Sequence, residues 1–212
     1  IPSVNIEFAD YKKDGSSETK AQIYEKIDLV IITSEQFSDN FEIYKDFKTK
    51  QGLYTVIKTI EEIYSEYPGE TNVTKIRNFI KDKYVQNDLE FVIIGGGYEI
   101  VPAGEATPYI SIYTNMIHVD TFYSHLDKEP DGNKNGIYFE LDDEPDYYAD
   151  VYVGRFPGNN EAEIDALIHK TVKYYSSDRS FRTGFNTSSL LLGFDVDEPG
   201  DGRRLCNNIR TE

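Results

Sequence analysis

Three apolar runs of strand length, separated by stretches of helical periodicity, constrain this chain more than any other feature. The runs are IDLVIIT (27–33), LYTVIKT (53–59) and LEFVIIGGG (89–97). The first and third are nearly unbroken, as in strands buried on both faces. Between the first two, Phe37, Phe41, Tyr44 and Phe47 recur at steps of four and three, so they share one helix face. Ser34, with acids close behind, reads as the N-cap of that helix, and Gly52 as its end. After a turn at Pro68 and Gly69, Val73, Ile76, Phe79, Ile80 and Tyr84 trace a second helix, with Asn72 as its cap. Strand, helix, strand, helix, strand with short links requires right-handed crossovers. The expected fold is α/β, a parallel sheet with helices on both faces.

The helical period vanishes over 103–146. Pro, Gly, Asp and Asn punctuate short pieces there, among them YISIY and TFYSHL, which predicts an excursion of loops and hairpins. Order returns with a fourth main strand at 150–156, stopped by Pro157. Asn160 then caps a helix carrying Ile164, Leu167, Ile168 and Val172. SSLLLGFD (188–195) reads as the next strand, and another helix begins near Gly202. VNIEF near the start is an edge strand or the end of a preceding segment. The division that follows is 1–26 as edge strand and linker, and 27–212 as the α/β body.

Charge narrows the partners. Lys and Arg total 22 against 38 Asp and Glu, a net charge of −16, which opposes a nucleic-acid partner and favours cations. A single cysteine, Cys206, removes intrachain disulfides and multi-cysteine zinc cages. No apolar run approaches the roughly 20 residues of a membrane-spanning helix. The first residue is Ile1 rather than Met, as expected of a processed or trimmed chain.

The candidate sites are few. The glycines of IIGGGYEI follow a strand, but Ile100 stands where a dinucleotide fingerprint needs its third glycine and Pro102 interrupts the helix that should follow. A tight exit turn is the better account. His118, His125 and His169 lack zinc-ligand spacing; His118 and His125 lie in the excursion near Asp120 and Asp127, where a metal or catalytic role competes with that of a solvated loop histidine. Cys206 has neither a glycine elbow nor an adjacent histidine and reads as a small buried hydrophobe.

DGNKNGIYFELDD (131–143) is different. Asp131, Asn133, Asn135, a backbone oxygen at Ile137, and Asp142 at the twelfth position reproduce the ligand spacing of a calcium loop, with Gly136 at the sharp bend. Pro130 and Pro145 replace the flanking helices, so this is no EF-hand, and Asn-Gly is also a hairpin signal. Calcium loop and plain turn both stand on these residues.

The segments LVIIT, KQGLYTVI, LEFVIIGGGYEIVPA and DYYADVYVGRFPGNNEAEIDALIHKTVKYY, in that order, resemble the N-terminal subdomain of gingipain-type cysteine peptidases. The markers are Val101-Pro102 beyond the glycine turn and the strand from Asp150 to Arg155 with its following helix. The resemblance implies a caspase-like arrangement of two α/β subdomains. A histidine from a Gly-His-Gly turn and a cysteine at a strand end lie on the second, and neither motif occurs in this chain. It further implies a cysteine endopeptidase in which this part is inactive alone, and a companion catalytic subdomain or chain. Protein or peptide substrates, a secreted or surface location and a calcium insert before the marker strand are implied as well. Asp195 or Asp197 is placed where an acid approaches the catalytic histidine. Arg203 and Arg204 are placed near the substrate side chain, where they would repel a basic one. The alternative is a non-catalytic α/β scaffold or surface-binding module that uses the excursion to hold a partner or glycan.

Overall fold

The computed structural model describes residues 4–6, 23–106, 117–134, 138, 141–144 and 148–176. The chain divides into two compact units, Ile1–Val172 and Lys173–Glu212, and the described residues belong almost entirely to the first. Two short strands, β1 (Val4–Ile6) and β2 (Ile23–Glu25), form an antiparallel pair of their own. The VNIEF segment thus contains a strand, which pairs with β2 in a sheet of its own rather than edging the parallel sheet.

The body begins with β3 (Leu29–Thr33), followed by α1 (Ser38–Lys50) and β4 (Thr55–Thr59). Next come α2 (Ile60–Glu66), α3 (Asn72–Asn87) and β5 (Phe91–Gly95). The excursion holds β6 (Gly104–Ala106), β7 (Ile117–Val119) and the one-turn α4 (Thr121–Ser124). It returns to β8 (Tyr152–Phe156) and α5 (Glu161–Ser176).

Strands β4, β3, β5 and β8, in that spatial order, form one parallel sheet with Leu29 level with both Thr55 and Phe91, and Phe91 level with Tyr152. Because the strands are level, equivalent residues face the same way. Val30, Ile32, Val92 and Ile94 pack with Ile63, Ile76, Phe79 and Ile80 of α2 and α3. Leu29, Ile31 and Phe156 pack on the opposite face with Phe41 and Tyr44 of α1 and Ile164 and Ile168 of α5. The three layers expected from the apolar runs are present.

Asp28 ties the amino ends of three strands: its carboxylate accepts from the Tyr54 N–H at 2.7 Å and its carbonyl from that of Phe91 at 2.9 Å. At the other end Thr33 donates its hydroxyl to the Gly95 carbonyl at 2.7 Å. A Cβ on Gly95 would lie 2.4 Å from the Phe41 ring, so glycine is what lets α1 approach β5.

Several local expectations need correction. A turn of 3₁₀ helix, Glu35–Phe37, separates Ser34 from α1, and the Ser34 side chain caps nothing. Its hydroxyl oxygen is buried without a hydrogen-bond partner among the described residues. Thr71, not Asn72, caps α3: its hydroxyl accepts from the Thr74 N–H at 3.1 Å, and Asn72 is the first helical residue. Helix α2 was not expected, although T-x-x-E announces it. Thr59 and Glu62 form a reciprocal capping box, with the Glu62 N–H on the Thr59 hydroxyl and the Thr59 N–H on the Glu62 carboxylate. Asn160 does accept from the Glu163 N–H at 3.0 Å, as its position predicts.

The excursion contains the expected hairpin, β6 with β7, but TFYSHL is a helical turn whose Phe122 and Tyr123, with Leu126, are buried beside α2 and α3. It thus covers the face that a crossover helix between parallel strands normally covers. YISIY, the strand expected at 188–195 and the helix expected from Gly202 lie outside the described residues.

Candidate functional site at the carboxyl ends of β5 and β8

Gly95, Gly96 and Gly97 carry the chain out of β5. The Gly96 N–H donates to the Phe156 carbonyl and the Gly97 N–H to that of Gly158, both at 2.9 Å. Gly96 has φ of 143°, a conformation that favours glycine, and a Cβ on Gly97 would lie 2.1 Å from the Asn159 amide oxygen. The glycines are therefore a strand-exit turn pressed against the exit of β8. Their amides are committed to carbonyls rather than turned outward as a phosphate cradle.

Arg155 of β8 locks this corner. Its side chain is only 14% exposed and meets Asp120 in a fork, Nε to Oδ2 at 2.8 Å and Nη2 to Oδ1 at 2.7 Å. Nη1 donates to the carbonyls of Gly96 at 2.7 Å and Val101 at 2.9 Å. One guanidinium thus joins β8, the glycine turn and the end of β7, with a geometry that lysine could not reproduce. Tyr123 adds a hydroxyl donated to the Pro102 carbonyl at 2.6 Å, and burial pushes that phenol well above its usual range.

A cavity of about 380 Å³ opens above these groups. Tyr98 and His118 form one side as a stacked pair, ring centroids 4.2 Å apart and 18° from parallel. Glu99, Asp120, Arg155 and Asn159 complete its polar lining. Two residues singled out from the sequence, His118 and Asp120, therefore meet here. His125 does not: its Nδ1 lies 2.9 Å from the Thr121 carbonyl, below the excursion helix. His169 is exposed on α5. Arg155, Tyr98 and Glu99 were missed as site residues. A charged residue inside an otherwise apolar strand, directly before Phe-Pro, was the available signal, since a buried guanidinium demands partners.

The acid-and-amide loop is only partly described. Asp131 is half-buried, while Asn133 and Asp142 are exposed. Asp143, 6% exposed, accepts from the Asn133 N–H at 3.3 Å, so the loop curls on the acid after the one that the spacing selected. Among the described residues no three of His, Cys, Asp or Glu are gathered as a metal cluster. Asn135 and Ile137 lie outside the described residues, as do Asp195, Asp197, Arg203, Arg204 and Cys206. A second guanidinium, Arg77 of α3, holds the approach to this loop. It is 3% exposed and donates to the carbonyls of His125 and Lys128, with burial lowering its pKa.

The model of peptidase family C25 matches residues 22–211, nearly the whole chain. This chain belongs to peptidase family C25. Gingipain R2 of Porphyromonas gingivalis is 27% identical over 148 residues, covering 69% of this chain and 16% of that protein. Gingipain R1 of the same species is 26% identical over 148 residues, covering 69% of this chain and 12% of that protein. Among solved structures, the complex of P. gingivalis RgpB pro- and mature domains superposes with a TM-score of 0.52 at 24% identity. It covers 69% of this chain and 29% of that one. Dimeric latent PorU from P. gingivalis gives a TM-score of 0.56 at 18% identity, covering 87% of this chain and 19% of that one. These structures establish the gingipain, caspase-like fold. The match spans about a sixth of the curated relative it resembles at 27% identity. The activity of C25 family members is that of cysteine peptidases. No helix among the described residues is long and apolar enough to cross a membrane.

Proposed function

We propose that this chain is the N-terminal part of a secreted gingipain-like cysteine endopeptidase and is inactive by itself. It packs against a catalytic subdomain, or companion chain, that supplies the histidine and the cysteine, and it shapes one wall of the substrate cleft. The carrying observation is the family match over 22–211 in a chain that has no Gly-His-Gly and whose one cysteine lies far from any strand-end histidine in sequence. A thiolate nucleophile needs a base within hydrogen-bond reach, and no histidine lies near Cys206 in the sequence.

The placement of α5 supports a second subdomain. Helix α1 takes the chain from β3 outward to β4 on one face; α2 and α3, on the other face, bring it back past β3 to β5. Helix α5 lies on the α1 face. A right-handed connection over that face leads back towards β4 rather than outward from β8. Asp195 or Asp197 would approach the catalytic histidine, and Arg203 and Arg204 the substrate, disfavouring basic side chains there.

The same reading gives the insert a structural calcium ion. Asp131, Asn133, Asn135, the Ile137 carbonyl and Asp142 supply the hard oxygen donors such an ion prefers, with Asp143 anchoring the loop from beneath. The ion would cross-link a segment with little apolar burial of its own.

Peptide hydrolysis by the 212-residue chain, compared with the same chain extended through the downstream gene, tests the main claim: activity only in the longer protein is expected. Hydrolysis by the short chain, or a downstream sequence lacking Gly-His-Gly and a strand ending in cysteine, would overturn it. For the ion, a chelator should lower the melting temperature of the chain, and Asp131→Ala should abolish that response. An unchanged melting curve would return the loop to a plain turn.

A further inference from the structure

The parallel sheet ends on β8, and the outward side of that strand carries backbone groups that the ladder does not use. The Tyr152 N–H donates to the Glu90 carbonyl and the Gly96 N–H to the Phe156 carbonyl, so residues 152 and 156 turn their backbone groups to β5. Strand alternation then turns those of Val153 and Arg155 outward. Among the described residues no strand pairs with this side. At its amino end the Val151 N–H donates to the Ser124 carbonyl at 3.4 Å, and at its carboxyl end Pro157 has no N–H to give. The open stretch is therefore bounded at both ends, and it consists of the N–H and C=O groups of Val153 and Arg155.

An unpaired edge is a template for another strand, and sheets that stay alone guard theirs with charges, above all lysine. The opposite edge is guarded in this way: Lys58 stands on β4, paired with Glu62 and Glu66. On β8 the one charge, Arg155, points inward and is neutralised by Asp120. Beside it Tyr152 leaves its ring 66% exposed, stacked on Phe91 with centroids 5.5 Å apart. A second copy of the same strand fits this edge in one register. Two antiparallel β8 strands related by a twofold axis through Gly154 exchange N–H···O=C bonds between Val153 of one copy and Arg155 of the other. Every open group is then paired, and the two positions with nothing to offer, Val151 and Pro157, stand opposite each other. A shift of one step in either direction sets Arg155 against the already bonded Val151, or Arg155 against its own copy with Val153 against Pro157. In the matched register Tyr152 stands across from Phe156 of the other copy, an aromatic pair, and no like charges are opposed.

We propose that two copies of this chain associate through their β8 edges, antiparallel about Gly154, joining their parallel sheets into one. The formal charge of −16 on each copy opposes association, so salt strengthens it. The contact uses groups of the first unit alone, and its failure would leave the peptidase reading untouched.

Sedimentation velocity of the 212-residue chain in about 0.5 M NaCl should show a monomer–dimer equilibrium with a dissociation constant of about 100 μM or tighter, weakening several-fold in about 0.05 M NaCl. By amide NMR, the Val153 and Arg155 N–H groups should exchange more slowly as the chain concentration rises. Gly154→Glu and Gly154→Lys have room in the single copy, since the nearest neighbour of a new Cβ is the Ile93 side chain at 3.5 Å. Each sets like charges across the axis and should weaken self-association by about tenfold or more, and an equimolar mixture of the two folded variants should restore a dimer. A chain that is monomeric at about 1 mM, protection of those two amides that does not change with concentration, or a mixture that stays monomeric would each overturn the proposal.

Discussion

The parallel sheet and the excursion that follows β5 are held together by different forces. In the sheet, Val30, Ile31, Ile32, Val92 and Ile94 are completely buried, and the ladder satisfies their backbone groups. Among the described residues of the excursion the antiparallel ladder is three residues long, and side chains take over its work. Arg155 and Arg77 donate to four carbonyls between them, those of Gly96, Val101, His125 and Lys128, while Asp150 accepts the Leu126 N–H at 2.6 Å. A segment that must be buried without regular structure still has to satisfy every N–H and C=O, and long cationic side chains are one way to reach scattered carbonyls.

The strongest way to break this contrast is Arg155→Met. It leaves Asp120 and two carbonyls without their donor and should cost about 3–5 kcal/mol, the range for breaking a buried pair. Hydrogen exchange distinguishes the regions: amides of 98–106 and 117–126 should lose protection first, with those of β3 and β5 retaining more. Ile32→Ala should cost about 2–4 kcal/mol by leaving a core cavity and lower protection everywhere together. If the two variants gave the same exchange pattern, the regions would be one cooperative unit. Arg77→Met should cost about 2–3 kcal/mol, less than Arg155→Met because its main partners are neutral carbonyls and its carboxylate contact, Glu129 at 3.8 Å, is long.

Alkaline pH sharpens the comparison with a smaller effect. Burial, then the Glu61 charge, raises the Tyr64 pKa to about 12 from about 10. Its contribution is fully present below pH 10 and is lost as the pH rises through about 12, because only the unfolded phenol ionises in that window. Tyr123, in the excursion, is raised further still by burial. Absorbance titration should therefore show Tyr64 ionising before Tyr123, and Tyr64→Phe should flatten the early part of the alkaline stability loss. The smallest effect is expected at the α2 cap. Thr59→Ala should cost about 1 kcal/mol, and the Glu62 carboxyl should stay below its usual range, because alanine keeps the backbone N–H that chiefly lowers it.

The legibility of the chain follows the same division. The runs at 27–33 and 89–97 and the phenylalanine stripe of α1 were readable because burial on both faces leaves no room for polar residues, and a helix face repeats at fixed steps. The capping box at Thr59 was equally written in the sequence but short. The excursion was readable only as a departure from periodicity. Nothing in TFYSHL separates a buried helical turn from a strand, since four residues hold too little of either period. Within the cavity, His118 and Asp120 stood out as titratable loop residues. Arg155 was visible only as part of a strand motif, and Tyr98 and Glu99 only as the sequel to a glycine turn.

Periodic burial is a local property, repeated every two or three to four residues, so composition and pattern alone determined that this chain forms a parallel sheet with helices on both faces. Which charges meet is not local. Asp120 and Arg155 are separated by 35 residues, and Arg77 lies 48 from the His125 carbonyl it holds. Only tertiary structure decided those pairings, because a buried guanidinium takes whichever oxygens the surrounding backbone brings within about 3 Å.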